Sequence, residues 1–228
     1  MLQTLRTVET LFLDLIFPKR CVTCGKDGAW SCESCSLKLI AVSRSRVSRV
    51  GSQQVFSGLD FAQPMVRELL HTLKYNGISD ASADLVRLMQ KGESGHHLGI
   101  WLHELLGRGE VILVPVPITR SKLKSRGYNQ AEEIAKQLGR ELGLDVCVDL
   151  LMRRGKSSTQ VGKDKVERVS RLHDVFWIRE DTARSLEQKI WIVVDDLFTT
   201  GSTLQASFEV LLPYVKQSLR GITVAYKR

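Results

Sequence analysis

Two apolar runs constrain this chain most: "VILVPVP" (111–117) and "IWIVVDD" (190–196). Each is too short for an ordinary helix, rich in β-branched residues, and without polar–apolar alternation. A strand that is apolar on both faces must be covered on both, the situation of a parallel sheet with crossover helices. "RGITVAYKR" (220–228) closes the chain as a further strand. Helical spacing fills the intervals. "QPMVRELLHTLKYNG" (63–77) carries Met65, Leu69, Leu70 and Leu73 and ends on Asn76-Gly77 as a stop signal. "ASADLVRLMQK" (81–91) forms a second helix, and "NQAEEIAKQLGRELG" (129–143) turns Ala131, Ile134, Ala135, Leu138 and Leu142 inward. "STLQASFEVLLPYV" (202–215) follows the second apolar run. The expected fold class is α/β, a mostly parallel sheet flanked by helices. Ligands of such sheets sit beyond the carboxyl ends of the strands, which is where "VPVP" and "DDLFTTGST" fall.

The order strand, acid pair, "TTGST", helix has a direct chemical meaning. Thr199, Thr200, Gly201, Ser202 and Thr203 stand where a loop enters a helix, so unpaired backbone N–H groups and the helix dipole favour an anion there. Gly201 lets the backbone approach closely, and the hydroxyls add donors. Asp195 and Asp196 are poorly placed to touch a phosphate but well placed to accept hydrogen bonds from the hydroxyls of a sugar that carries one. The segment therefore fits a ribose 5′-phosphate. Neither GxxxxGK[ST] nor GxGxxG occurs, which argues against a P-loop or a dinucleotide site.

Cys21, Cys24, Cys32 and Cys35 make a CxxC-x7-CxxC arrangement, two close pairs able to enclose a tetrahedral metal, with Gly25 and Gly28 easing the turns. Structural Zn2+ is the expected occupant; two disulfides are the alternative, which a reducing compartment disfavours. Cys147 lies in a strand-like run as a packed apolar residue. Between this module and the rest, "AVSRSRVSRVGSQQ" (41–54) reads as a connector carrying Arg44, Arg46 and Arg49. The expected division is residues 1–50, an N-terminal helix with the zinc module, and residues 51–228, the larger domain. In the opening segment Leu2, Leu5, Val8, Phe12 and Leu15 recur at helical spacing, interrupted by Arg6, Glu9 and Asp14. Neither a membrane span nor a secretory signal is expected, and the protein reads as cytoplasmic.

"WIVVDDLFTTGST" (191–203) resembles the phosphoribosyl-pyrophosphate (PRPP) motif of type I phosphoribosyltransferases: four apolar residues, two acids, two variable positions, then T-T-G-S-T. With the four cysteines, "LKYNG" and "VPVPITRSKLKSRGYNQ" (114–130), the chain resembles the ComF family of competence-associated proteins from about residue 12 to its end. The resemblance implies that Asp195 and Asp196 are the catalytic acids holding the ribose hydroxyls and Thr199 to Thr203 the 5′-phosphate. It puts "PVPIT" in the place of the pyrophosphate loop. Arg120, Lys122, Lys124, Arg126 and Arg168 would contact pyrophosphate or a DNA backbone, and Mg2+ would arrive with PRPP. "RRGKSSTQVGKDKVER" (153–168) would correspond to the hood of the family. It keeps Gln160, Gly162 and Arg168 but has Lys163 and Arg171 where Leu and Asn are usual.

Two functions follow from that resemblance. In one, the protein is a phosphoribosyltransferase-like protein acting in DNA uptake and natural transformation. Turnover would displace pyrophosphate from C1 of PRPP by a nucleophile, with catalysis by positioning and by cations on the leaving group. No base-binding signature and no glutaminase-type N-terminal cysteine is present, so the acceptor stays open. In the other, it is a non-catalytic single-stranded-DNA-binding accessory of the competence machinery. The net charge of +8 suits a polyanion, and Tyr75, Tyr128, Phe176 and Trp177 offer stacking surfaces. Single-stranded DNA and a competence helicase or recombination proteins would then be its partners.

Overall fold

The computed structural model describes residues 19–75, 80–153 and 175–228. The helical pattern of the first 18 residues, the Asn76-Gly77 stop and residues 154–168 of the basic segment, Arg168 included, lie outside them. Six strands form the main sheet in the order β1-β2-β8-β7-β3-β4. They are β1 (Arg46–Val50), β2 (Gln53–Asp60), β3 (Val111–Pro115), β4 (Asp145–Val146), β7 (Ile190–Phe198) and β8 (Leu219–Tyr226). Only β1 runs antiparallel to its neighbour; the other four pairings are parallel. Strands β5 (Leu151–Arg153) and β6 (Phe176–Ile178) make a separate antiparallel pair.

Alternating side chains of β7 show why the run is apolar throughout. Ile190, Ile192 and Val194 enter one core, while Trp191 and Val193 enter the other. The first core packs against helices α2 (Pro64–Tyr75), α3 (Ala81–Met89), α4 (Gly92–Leu106) and α6 (Gln130–Leu142). The second packs against α7 (Glu180–Leu186) and α8 (Ser202–Leu211). In α6 the buried set Ala131, Ile134, Ala135 and Leu138 matches the expected inner face. The four-cysteine module leads into α1 (Glu33–Val42), which sends Cys35 and Leu39 into the first core.

The connector expected over 41–54 is overturned. Residues 46–50 are a strand paired with β2 from Arg46↔Ser57 to Val50↔Gln53, with Gly51 and Ser52 at the turn. Residues 46–50 are the edge of the sheet, and Arg46 and Arg49 are side chains of that edge rather than of a linker; Arg44 precedes the strand and pairs with Glu93 at 3.2 Å. Charged residues on an edge discourage pairing with other chains. Helix α4 has no counterpart in the expected elements.

Strand order positions the site. From β3 the chain passes through α5 (Arg120–Arg126) and α6 to β4, on one side of β7. From β7 it passes through α8 to β8, on the other side. Loops leaving neighbouring strands in opposite directions open a crevice at their carboxyl ends. The crevice between β3 and β7 is where the expected functional segments meet.

Candidate functional site

A cleft of about 320 Å³ occupies that crevice. On the β7 side it is lined by Asp195, Asp196, Thr199 and Thr203. On the β3 side it is lined by Val116, Pro117 and Ile118, with Lys122 and Arg126 of α5 behind them. Lys74 and Tyr75 at the end of α2, Gln130 at the start of α6 and Arg153 at the end of β5 complete the walls.

β7 is longer than its apolar run. It continues through both aspartates to Phe198, so the two acids obey the two-residue period and point to opposite faces. Asp196 continues the Ile192/Val194 face, where Lys74 from α2 pairs with it at 2.6 Å. Asp195 continues the Trp191/Val193 face, where the positive charge of Arg153 stands near it. Asp195 also accepts a hydrogen bond from the backbone N–H of Asp196 at 2.9 Å. Burial, with the neighbouring Asp196 charge as a second cause, pushes the Asp195 carboxyl up to about 7. Burial lowers the affinity of Arg153 for its proton, and Asp195 opposes that change.

The turn after β7 has the geometry its glycine implies. Gly201 has φ 77°, and a Cβ there would meet Val50 Cγ2 at 2.9 Å and the Phe198 ring at 3.2 Å. Both constraints select glycine. The N-cap Gly201 has no side chain to cap α8; of the first-turn N–H groups, that of Ser202 donates to Thr200 Oγ1 at 3.4 Å, and those that follow it are the donors offered to an anion. Thr200 and Ser202 hydrogen-bond each other, Oγ to Oγ, at 3.1 Å. Of the five loop residues, Thr199 and Thr203 line the cleft, while Thr200, Gly201 and Ser202 shape the turn.

The opposite wall rests on Asn129. Its side chain caps α6 by accepting from Ala131 N at 3.2 Å, and its Nδ2 donates to Val116 O at 3.0 Å, tying that helix to the 116–119 loop. Thr119 caps α5, which ends on Gly127 in the left-handed region. Within α5 the four expected cations divide. Lys122 and Arg126 line the cleft, whereas Arg120 and Lys124 are exposed outside it. Arg126 lies over the Tyr75 ring, 5.4 Å from its centroid. Sequence reasoning missed Lys74, Gln130 and Arg153, although "LKYNG" and "RGYNQ" contain the first two; nothing local in the sequence brings either to the acids.

The four cysteine ligand atoms lie within 4.8 Å of one another. All four thiols are free, and Cys24 Sγ stands 3.6 Å from Cys32 Sγ, close to the spacing of thiolates about a tetrahedral metal. The pairs sit in tight turns, with Gly25 N donating to Cys21 O and Ser36 N to Cys32 O. Gly25 and Gly28 take positive φ, 74° and 107°. The hydroxyl of Ser34 draws the Cys32 thiol down to about 6, which favours the thiolate, while Cys32 in turn pushes Cys35 up to about 12. A set of four soft donors at this spacing can hold a metal ion such as zinc. The module is fastened to α3, where the buried Asp84 accepts from Ser31 N at 2.8 Å. No helix among the described residues is long and apolar enough to cross a membrane.

No protein-family model matches the chain. Three curated proteins are similar to it. "Competence protein F" of Haemophilus influenzae is 30% identical over 99 residues, 43% of each chain. "Competence protein ComFC" of Bacillus subtilis is 26% identical over 148 residues, 65% of this chain and 54% of the relative. "DNA utilization protein YhgH" of Escherichia coli is 25% identical over 162 residues, 70% of this chain and 66% of the relative. The matched stretch thus spans about half the length of the first two relatives. Over 43–70% of its length the chain is thus similar to two competence proteins and a DNA utilization protein, in line with the ComF resemblance of its motifs.

Proposed function

We propose that the cleft binds PRPP or a related ribose 5-phosphate, and that the protein serves DNA uptake in natural transformation. The observation that carries the reading is the meeting, at one strand-order switch point, of an acid pair, a helix N-terminus entered through a glycine and a group of cations. The acids would accept from the ribose hydroxyls, the loop 199–203 would hold the 5′-phosphate, and Lys122, Arg126 and Arg153 would face a further anion. Carboxylate oxygens suit a hard cation, so Mg2+ carried in on the diphosphate fits the donor set. The chemistry such a site can support is displacement of pyrophosphate from C1, with the cations stabilising the departing charge. The names of the relatives, two of them competence proteins and one a DNA utilization protein, support the setting. Structural zinc in the four-cysteine module and a reducing, cytoplasmic location belong to the same reading.

The test is calorimetric titration of Mg·PRPP into the wild type and into the Asp195→Asn/Asp196→Asn double variant. Saturable binding in the wild type, weakened at least tenfold in the variant, is the expected result. No binding in the wild type would sink the reading.

A second reading has its own observation. Arg120 and Lys124 are exposed on α5 and do not line the cleft, so they are available to a phosphate backbone passing outside it. In that reading the protein is a single-stranded-DNA-binding accessory, with a helicase or recombination protein of the competence machinery as neighbour.

A further inference from the structure

Strand β1 ends the sheet among the described residues, so one side of its backbone has no strand beside it there. Its side chains alternate between two faces. Val47 opposes Phe56 and Arg49 opposes Gln54 in the register with β2. Phe56 belongs to the first core and stacks on Trp101 of α4, ring centroids 5.7 Å apart, so Val47 and Arg49 stand on the face that α4 covers. Between β1 and α4 runs a groove of about 340 Å³, lined by Val47 and Gln54 from the sheet and by His97, Ile100, Trp101 and Glu104 from the helix.

The groove has an apolar part, an unmet donor and an excess of positive charge. Val47 and Ile100 are 53% and 58% exposed, although they line the same groove. Trp101 is 7% exposed, yet its indole N–H has no hydrogen-bond partner among the described residues. A buried donor left unpaired costs stability, and native chains hold few of them. The charge is one-sided. Arg220 of β8 lies near Arg108, Glu104 and Arg49, and its buried Nε is also unpartnered among the described residues. Burial and the two arginines weaken its hold on its proton, and only Glu104, which reaches Arg108 at 3.8 Å, opposes them.

These features select among possible occupants. A second copy of the same edge would set arginine against arginine, which is unfavourable, whereas a strand carrying acids meets opposite charge. Addition of an extended peptide to a sheet edge draws affinity from backbone hydrogen bonds and specificity from alternate side chains. We propose that β1 and the groove beside α4 dock an extended acidic segment of a partner protein, added to the sheet as a further strand. Its apolar side chain lies against Val47 and Ile100, and two residues along, on the same face, an acid meets Arg49. An oxygen of the segment accepts from the Trp101 indole. Strands β2 and β8 separate this edge from β7, so the inference stands apart from the ribose-phosphate reading.

The test uses the full chain and the blocked peptide Thr-Glu-Thr-Val-Thr-Glu-Thr, whose symmetric order suits either strand direction. The same peptide with lysine for glutamate is the control. The wild type should bind the acidic peptide and not the basic one, and the β1 amides should exchange more slowly with the peptide bound. Arg49→Glu changes an exposed side chain; it should lose about tenfold on the acidic peptide and gain the basic one. Ile100→Ala should lose about threefold on the acidic peptide. No binding of the acidic peptide to the wild type at about 1 mM would overturn the proposal, as would binding indifferent to Arg49→Glu. Slow exchange of the β1 amides in the free protein would place this chain's own residues or a second copy on the edge instead. A single-stranded oligonucleotide that is lost in Arg49→Glu while neither peptide binds would assign the face to nucleic acid and sink the proposal.

Discussion

Asp195 and Asp196 are neighbours in the chain and occupy different electrostatic settings. Asp196 meets Lys74 at 2.6 Å, whereas Asp195 is half-buried beside a like charge that the backbone N–H of Asp196 and the Lys74 ammonium only partly offset. The raised carboxyl of Asp195 has a consequence for folding. An acid titrating near 4 when unfolded and near 7 when folded makes the folded state bind the extra proton between those values. Stability therefore falls as pH rises from about 4 to about 7, and the loss is complete above the folded value. Asp195→Asn should remove that slope: similar to wild type at pH 4, and more stable at pH 8 by about 2 kcal/mol, since solvent reaching a half-buried carboxyl screens part of the penalty. Denaturant unfolding of both proteins across this range is the measurement. Parallel pH profiles would show that Asp195 titrates like an ordinary surface acid.

Among the elements, those with a single dominant pattern were legible before any coordinates. Strand β7, helix α6 and the turn into α8 all match what their residues imply, because each draws on its own local signal: burial on two faces, a 3.6-residue period, a glycine that no other residue replaces. Strand β1 was not legible. Its side chains from Arg46 to Arg49 are exposed or half-buried, so a real strand carries no apolar face to announce it. Helix α4 hides differently: Leu98, Trp101, Leu102 and Leu105 keep helical spacing, but Gly92, Gly95 and Gly99 lower its intrinsic propensity. The cysteine module was legible as a cluster, while its fastening to α3 through Asp84 joins residues 53 positions apart. That fastening yields a prediction. Metal chelation in the wild type should lower the thermal midpoint by roughly 5–10 °C, because the turns that orient Ser31 toward Asp84 lose their common centre. Cys24→Ser, which changes the exposed ligand, should start near that lowered midpoint and copurify with less than one metal per chain. Full metal content in Cys24→Ser, or no response to chelator, would exclude a four-thiolate centre.

At the scale of the molecule, the acid pair and its loop form one contiguous segment, but Lys74, Gln130 and Arg153 arrive from three others. Only the order β8-β7-β3, with crossovers leaving in opposite directions, brings them to one place. Helix α5 shows what that assembly does with the excess charge. None of its seven residues is buried, and four of them are cations at alternating positions. Repulsion at i, i+4 sets Arg120 against Lys124 and Lys122 against Arg126, so the helix is held by its caps and by what its charges meet. Its two pairs face different ways, Lys122 and Arg126 into the cleft, Arg120 and Lys124 outward. The two proposed ligands can therefore be separated on one short element. Removing both outward charges, Arg120→Ala with Lys124→Ala, should leave Mg·PRPP affinity within about twofold. It should weaken binding of a single-stranded oligonucleotide and reduce the slope of log K against log salt by about 1.4, two phosphates at roughly 0.7 each. The Asp195→Asn/Asp196→Asn variant should do the reverse, losing the sugar phosphate and keeping the salt slope. If the outward pair instead costs PRPP and spares DNA, α5 turns its other face to the cleft on binding, and the backbone path runs elsewhere on the molecule.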